Sequence, residues 1–378
     1  MTAVTTPVRT GRLTSLDVVR GLMLVVSVAV NSLLVTPGWF EHAEWTGVHG
    51  LDLVFPVFVT LTGCGLGFAM HRRTDVGGLA RRVVVLVVVG LLYNALVLDR
   101  WDLATWRLPG VLQLYAAVVA VVALEHLLTR SWRGWALATV LLAVAHTTLL
   151  AVWAAGCAGG ALTPDCNPSG ALDVAVFGAP HVYAAGDLGH DPEGLVSVLG
   201  ALVSAAAGAT VGHLLLSVRD AGRGPRAAVL PVAGLAAGAA VLGWLAAVVP
   251  GLLTGTAVPA MKRLWSAPFS LPVAAGVAVV LLLVHLALDR PGTPAAARAA
   301  TWPLVALGRN SLLVYFGSHV VTSLLLQDVD AGGASAAQRL AAAVSVGGHN
   351  QLSLTVLAVL AWTALAAVLH RSRIYLRP

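Results

Sequence analysis

Charged residues are scarce in this chain. They make up 11% of 378 residues, whereas hydrophobic residues make up 58%. A soluble globular domain carries about 25% charged residues, so this composition excludes one. Lysine and arginine outnumber aspartate and glutamate by 23 to 17, but they are scattered in short clusters and form no basic domain. The sequence therefore predicts no nucleic-acid partner.

Several motifs of well-known enzyme classes are also absent. The chain has no Walker or Rossmann glycine fingerprint and no Gly-x-Ser-x-Gly nucleophile elbow. Its 12 histidines include no His-x-x-x-His or His-Glu-x-x-His spacing, so we expect no metal site. Any chemistry must then come from other polar residues.

Long apolar runs are the main feature that the sequence does have. Each run is about 20 residues, which is enough to cross a bilayer as a helix. The pattern predicts an all-α, polytopic membrane protein with about ten transmembrane helices, folded as a single domain over residues 1–378. The predicted spans are 16–36, 51–70, 82–99, 110–128, 134–154, 195–217, 227–249, 267–288, 303–325 and 351–369.

The distribution of basic residues predicts the orientation. Five of them fall in alternate segments that would lie outside, and most of the others fall in the segments between. By the positive-inside rule, both termini are cytoplasmic, including a tail over residues 1–12, and segments 155–194 and 326–350 are extracytoplasmic loops. The outer five are Arg100, Arg107, Lys262, Arg263 and Arg339. We expect the protein to be multi-pass in the inner or plasma membrane.

Residues 41–56 form a polar entrance to the second span. His42, His49 and Asp52 lie there, next to an apolar run that begins around Leu51. Ionisable residues so close to hydrocarbon are energetically costly and are typical of functional sites. Pro56 removes a helical hydrogen bond, so we also expect a kink in this span.

Two polar stripes continue into the membrane. On the first span, Asp17, Arg20, Ser27 and Asn31 fall on one helical face. On the ninth, the stripe begins next to Arg309 and Asn310 and includes Ser311, Tyr315, Ser318 and Thr322. Such stripes must face the protein interior. They fit either a site lining or purely structural pairing, such as an ion pair between Asp17 and Arg20.

Two of the three cysteines, Cys157 and Cys166, share the predicted outer loop. An extracytoplasmic position favours a disulfide between them. The alternative is a pair of free thiols.

Seven short motifs, in order, resemble the catalytic domain of the heparan-α-glucosaminide N-acetyltransferase family. They span residues 12–320, most of the chain. The motifs are Arg12-Leu-Thr-Ser-Leu-Asp17-Val-Val-Arg20-Gly21 followed by Asn31, His42-Ala-Glu-Trp45-Thr-Gly47, Asp52-Leu-Val-Phe55-Pro56, Pro109-Gly-Val-Leu-Gln113, His181-Val-Tyr183 with Asp191-Pro-Glu193-Gly194, Lys262-Arg-Leu-Trp265-Ser266, and Gly308-Arg-Asn310-Ser-Leu-Leu-Val-Tyr315.

This resemblance implies a transmembrane acyltransferase. It would move an acetyl group from cytoplasmic acetyl-CoA to an extracytoplasmic amino sugar or glycan, and members of the family include dimers, which makes a homodimer a further expectation. The implied catalytic residues are His42, as base or acyl acceptor, and Asn31. We add Asp52, which would hold His42 or His49 in one tautomer.

The resemblance and the polar stripes together predict two binding regions. The residues expected near acetyl-CoA are Arg20, Asp17, Gln113, Arg309, Asn310 and Tyr315. The two arginines would bind the CoA phosphates, which guanidinium groups recognise. The residues expected near the acceptor are Trp45, Tyr183, Glu193, Lys262 and Trp265.

Other functions remain open at this point. Ten spans with polar groups at membrane depth also suit a transporter or flippase for a polar solute or lipid-linked glycan. The absence of a visible inverted repeat disfavours that interpretation. O-acylation of a glycan and a catalytically silent scaffold are further alternatives.

Overall fold

The computed structural model describes residues 13–71, 75–330 and 332–375. The predicted cytoplasmic tail, 1–12, lies outside them. Within the described part of the chain the regular structure is entirely helical. The α-helices are α1 (Thr14–Asn31), α2 (Val54–Met70), α3 (Val76–Val97), α4 (Val111–Leu128), α5 (Trp132–Ala155), α6 (Pro168–Phe177), α7 (Leu195–Asp220), α8 (Val229–Thr254), α9 (Ala267–Leu288), α10 (Ala295–Arg309), α11 (Ser311–Gln327), α12 (Ala336–Ala343) and α13 (Asn350–Arg371).

The predicted all-α, polytopic fold is confirmed. In the described ranges, nine helices are long and apolar enough to cross a membrane, and a tenth span results if α10 and α11 are taken together. The ninth predicted span, 303–325, was expected to be one helix. It is instead two helices that meet at Asn310 with a bend of 72°. Irregular backbone at membrane depth is tolerated where it is buried in protein or lines a cavity.

Glycines let α2 and α7 pack at very short distance. A Cβ added to Gly63 would lie 1.9 Å from the carbonyl oxygen of Ala205, and one added to Gly208 would lie 1.9 Å from that of Thr60. Small residues at such positions allow helix backbones to approach closely, and packing of this kind holds membrane helices together. This contact buries the centre of α7, the most enclosed of the spans.

The first span, α1, is fixed along its length by close packing against α10 and at its start by Asp289. Gly21 and Gly308 bring α1 against α10, since a Cβ on Gly308 would lie 1.9 Å from the carbonyl oxygen of Asp17. At the start of α1, the carboxylate of Asp289 accepts hydrogen bonds from the backbone of Thr14 and from Ser15. Asp289 thus caps a helix from 275 residues away in sequence.

The two predicted loops contain short helices. Segment 155–194 includes α6, and segment 326–350 includes α12. A disulfide joins Cys157 and Cys166 next to α6. The expectation of a kink at Pro56 is wrong, because α2 begins at Val54 and Pro56 lies in its first turn, where the missing amide hydrogen breaks no hydrogen bond within α2.

Candidate active site

The entrance to α2 is organised by one buried carboxylate. Asp52 lies in the 3₁₀ turn Gly50–Leu53 that leads into α2, and it is 1% exposed. One of its oxygens lies 2.6 Å from Nδ1 of His42, and the other accepts the backbone amides of Ala43, at 3.2 Å, and His49, at 2.8 Å. Asp52 therefore fixes both the imidazole of His42 and the backbone that carries it.

The contact defines the tautomer of His42. A carboxylate only accepts hydrogen bonds, so Nδ1 of His42 donates and the neutral ring carries its lone pair on Nε2. The His42 side chain is 40% exposed, whereas that of Asp52 is fully buried. An imidazole oriented by a buried carboxylate can accept a proton or attack a carbonyl carbon, and the carboxylate stabilises the resulting imidazolium.

His49, the other histidine of the entrance, has a different role. Its Nδ1 bonds to the backbone carbonyl of Glu41 at 2.7 Å, and its own amide supports Asp52. The two alternatives for Asp52 are thereby resolved in favour of the His42 ring.

The segment just before α9 is hydrogen-bonded to the loop that carries His42. Gly47 donates its amide to the carbonyl of Ala260 at 2.9 Å, and Arg263 donates Nε to the carbonyl of Ala43 at 3.3 Å. Lys262 lies on the same segment, directly before Arg263, and is 7% exposed. Burial lowers the pKa of Lys262, although the nearby carboxylate of Glu193 partly opposes this shift.

A buried ion cluster lies beside these residues, and its cation, Arg107, is not among the predicted site residues. Nη2 of Arg107 donates to Asp191 at 2.8 Å and to Glu193 at 2.7 Å, and its guanidinium lies 4.8 Å from the ring centre of Tyr183. Burial raises the pKa of Asp191. Burial acts on Glu193 in the same direction, but the charges of Arg107 and Lys262 outweigh it and lower the pKa of Glu193. Arg107 stood out only as one of five outer basic residues, a weak signal.

The predicted acceptor residues divide into two groups. Glu193, Lys262 and Tyr183 lie at or beside the ion cluster, where the charge of Lys262 acts on Glu193. Trp45 donates its indole N–H to the carbonyl of Leu162 at 2.8 Å and is partly buried.

Trp265 belongs to the core instead. It is 0% exposed, packs edge-on against Phe55 with ring centres 5.1 Å apart, and donates its indole N–H to Ser204 at 3.0 Å. A side chain this enclosed offers no surface to a sugar, so the expectation that Trp265 contacts the acceptor is corrected.

The structure does not join Asn31 to His42. Its amide Nδ2 donates to Ser318 Oγ at 3.0 Å and reaches the backbone carbonyl of Tyr315 at 3.4 Å, so it ties α1 to α11. Of the two roles open to Asn31, orienting the imidazole or polarising the thioester carbonyl, the first finds no support in the hydrogen bonds of these two described residues. Tyr315 lies on the same helix, and its ring packs edge-on against Phe58 at 5.4 Å.

The residues expected near acetyl-CoA are spread along the interior. Arg20 donates Nη2 to the carbonyl of Leu61 at 2.9 Å, in space left by Gly65. Arg309 lies with its guanidinium 4.0 Å from the ring centre of Tyr375. Asp17 is 3% exposed and lies on α1 one turn before Arg20.

Two amides in this interior have polar atoms without partners. Both side-chain amide atoms of Gln113 are buried without a hydrogen bond, as is the amide oxygen of Asn310 at the α10–α11 break. Buried polar groups are nearly always paired in folded proteins, so these atoms are candidates for contact with a bound molecule.

No family model matches the chain. It is similar to two curated proteins, both named heparan-α-glucosaminide N-acetyltransferase. The human protein is 26% identical over 96% of this chain and 59% of its own length. The mouse protein is 26% identical over 82% of this chain and 54% of its own length. The chain thus spans between half and two thirds of these relatives. The resemblance that the motifs indicate is confirmed as a distant one: the protein is a multi-pass membrane protein distantly related to the heparan-α-glucosaminide N-acetyltransferases.

Proposed function

We propose that this protein is a membrane-embedded acetyltransferase that uses acetyl-CoA from the cytoplasm and acetylates an extracytoplasmic amino sugar or glycan. The observation that carries the proposal is the pair formed by His42 and Asp52, a half-exposed imidazole oriented by a fully buried carboxylate. The relatives' names supply the reaction class. The orientation, with this pair on the outer face of an inner or plasma membrane, rests on the positive-inside rule.

In the proposed reaction, His42 acts through Nε2. As a general base it takes the proton of the acceptor amine or hydroxyl while that group attacks the thioester carbonyl, and the CoA thiolate leaves and is protonated. As a nucleophile it first forms an acetyl-imidazole, which the acceptor then attacks. In both routes the ring becomes positively charged, and Asp52 at 2.6 Å stabilises that charge. Lys262, buried on the segment that is hydrogen-bonded to the loop carrying His42, is the candidate for stabilising the developing oxyanion.

The donor would be held on the cytoplasmic side of the same bundle. Arg20 and Arg309 are suited to phosphate recognition because a guanidinium can bind two oxygens at once. Gln113 and Asn310 offer amide atoms without partners to the polar parts of the pantetheine chain. We infer that the donor chain reaches His42 along the interior faces of α1 and α11, which carry the polar stripes.

The test is transfer of labelled acetyl from acetyl-CoA to glucosamine by the purified protein in vesicles. His42→Ala is expected to lower turnover at least a hundredfold, because the base or nucleophile is removed. His349→Ala is a matched control, since His349 is an exposed histidine at the start of α13. Turnover that survives in His42→Ala contradicts the role of His42. Uptake of a sugar without CoA, unaffected by His42→Ala, would favour a transporter.

A further inference from the structure

Lys262 is the only lysine in the chain. It lies on the segment before α9, which is hydrogen-bonded to the loop that carries His42. The backbone carbonyl two residues before Lys262 accepts the amide of Gly47 at 2.9 Å, and Arg263, directly after it, donates Nε to the carbonyl of Ala43 at 3.3 Å. These two contacts flank Lys262, so the fold holds its backbone against the candidate active site.

The amine of Lys262 is buried without a partner. The residue is 7% exposed, and its ammonium makes no hydrogen bond and no ion pair within the part of the chain that the structure describes. Nζ is not one of the side-chain atoms that the fold encloses completely without a partner, so part of its surface stays accessible. Buried polar groups are nearly always paired in folded proteins, so this amine is a candidate for contact with another molecule.

The surroundings of Lys262 favour the uncharged amine. Burial lowers the pKa of Lys262, and the carboxylate of Glu193 only partly opposes this shift. Each unit by which the pKa of an amine falls gives about ten times more of its uncharged form at neutral pH. Only the uncharged form has the lone pair that attacks a carbonyl carbon. Lys262 is therefore a potential nucleophile beside the residue that is proposed to transfer acetyl groups.

We propose that Lys262 is a self-acetylation site, to which the protein transfers an acetyl group from acetyl-CoA when no acceptor is bound. The inference rests on the proposed function, since acetyl-CoA is the donor and His42 handles the proton. Nζ attacks the acetyl carbonyl carbon, the C–S bond of the thioester breaks, and the CoA thiolate leaves. The proton of the amine passes through His42 to that thiolate, so the products are acetyl-lysine and CoA with a free thiol. If His42 first carries the acetyl group, the C–N bond to its ring breaks instead and the ring nitrogen takes the proton.

Acetylation removes the positive charge of Lys262. The candidate for oxyanion stabilisation is then lost, together with one of the two cations that lower the pKa of Glu193. Self-acetylation is therefore expected to slow later transfer to a sugar. A bound acceptor is expected to protect the lysine, because it takes the acetyl group first.

The experiment incubates the purified full-length protein with acetyl-CoA alone and locates acetyl-lysine by peptide mass spectrometry. Acetylation of Lys262 is expected in the unmodified protein and is expected to fall about tenfold or more in His42→Ala, because the group that takes the proton is lost. An excess of D-glucosamine is expected to reduce it. Arg100→Lys is the matched control: it adds an exposed lysine on the predicted outer side, whose acetylation measures the uncatalysed reaction.

A second measurement follows the effect on turnover. The unmodified protein is preincubated with acetyl-CoA, and transfer to D-glucosamine is then expected to be slower in proportion to the acetylated fraction of Lys262. Lys262→Arg keeps a positive charge but has no nucleophilic amine, so preincubation is expected to leave its own rate unchanged.

Transfer to D-glucosamine without any acetylation of Lys262 overturns the proposal and leaves the acetyltransferase function standing. Acetylation of Lys262 that equals that at position 100 in the control, or that is the same in His42→Ala, also overturns it, because the modification is then uncatalysed. If Lys262 is acetylated through His42 but no sugar is, the self-acetylation site stands and the sugar acceptor falls. If neither is acetylated, the acetyltransferase proposal falls as well.

Discussion

Replacement of Arg107 by glutamine tests whether the ion cluster beside His42 holds the site together. Nη2 of Arg107 lies 2.8 Å from Asp191 and 2.7 Å from Glu193, and the three side chains are 12%, 0% and 8% exposed. Loss of the cation leaves two carboxylates without their main counter-charge in a buried region. Removal of one partner of a buried ion pair costs about 3–5 kcal/mol, so we expect Arg107→Gln to be destabilised by about that amount.

The loss of stability in Arg107→Gln is expected to depend on pH. In the unmodified protein the cations lower the pKa of Glu193, so its stabilisation is fully present above the unfolded glutamate pKa of about 4.3 and is lost as pH falls through the lower folded value. In Arg107→Gln, burial is expected to raise the folded pKa of Glu193 and to raise that of Asp191, which burial already raises, still further. The destabilisation then grows as pH rises from about 5 to 8.

The assay is the melting temperature of detergent-solubilised protein at pH 5.5 and 7.5. Arg100→Gln is the matched control, because Arg100 is an exposed arginine a few residues away and the same change there costs within about 0.5 kcal/mol. The double variant Arg107→Gln/Glu193→Gln should recover part of the loss. A melting temperature for Arg107→Gln equal to that of Arg100→Gln at both pH values would refute the reasoning.

Three further outcomes follow from specific contacts. Asp52→Asn should lower acetyl transfer at least a hundredfold, because the amide no longer stabilises a charged His42, and should also lower the melting temperature, because its NH2 group faces either the His42 Nδ1–H or the backbone amides of Ala43 and His49; full activity would exclude Asp52 from the mechanism. Gly208→Ala places a Cβ 1.9 Å from the carbonyl of Thr60 and should lower the melting temperature, whereas Gly276→Ala meets nothing within 4 Å and should not; equal behaviour would contradict the packing of α2 on α7. Cys157→Ser should destabilise the outer loop by about 2–3 kcal/mol, visible as faster proteolysis between residues 155 and 194; unchanged proteolysis would mean that the disulfide contributes nothing there.

Local composition determined the helices. An apolar run of about 20 residues forms a helix in a membrane because its backbone groups have no other hydrogen-bond partners there. Most predicted spans therefore match observed helices closely, as in 267–288 and Ala267–Leu288. The first helix ends at Asn31 and not at 36, the third begins at Val76 and not at 82, and the ninth span bends at Asn310. The two helices together are apolar enough for one span, but Gly308, Asn310 and Ser311 at the break are weak helix formers.

The candidate site depended more on the tertiary structure. The resemblance singled out His42, but spacing alone left Asp52 with two histidines, and the fold assigned it the ring of one and the backbone of the other. Arg107 meets Asp191 across 84 residues of chain, and no local pattern encodes that contact. Trp265 was expected near the acceptor and lies in the core. Helix formation is set by neighbouring residues, whereas these contacts depend on how the spans pack and where the outer segments fold back.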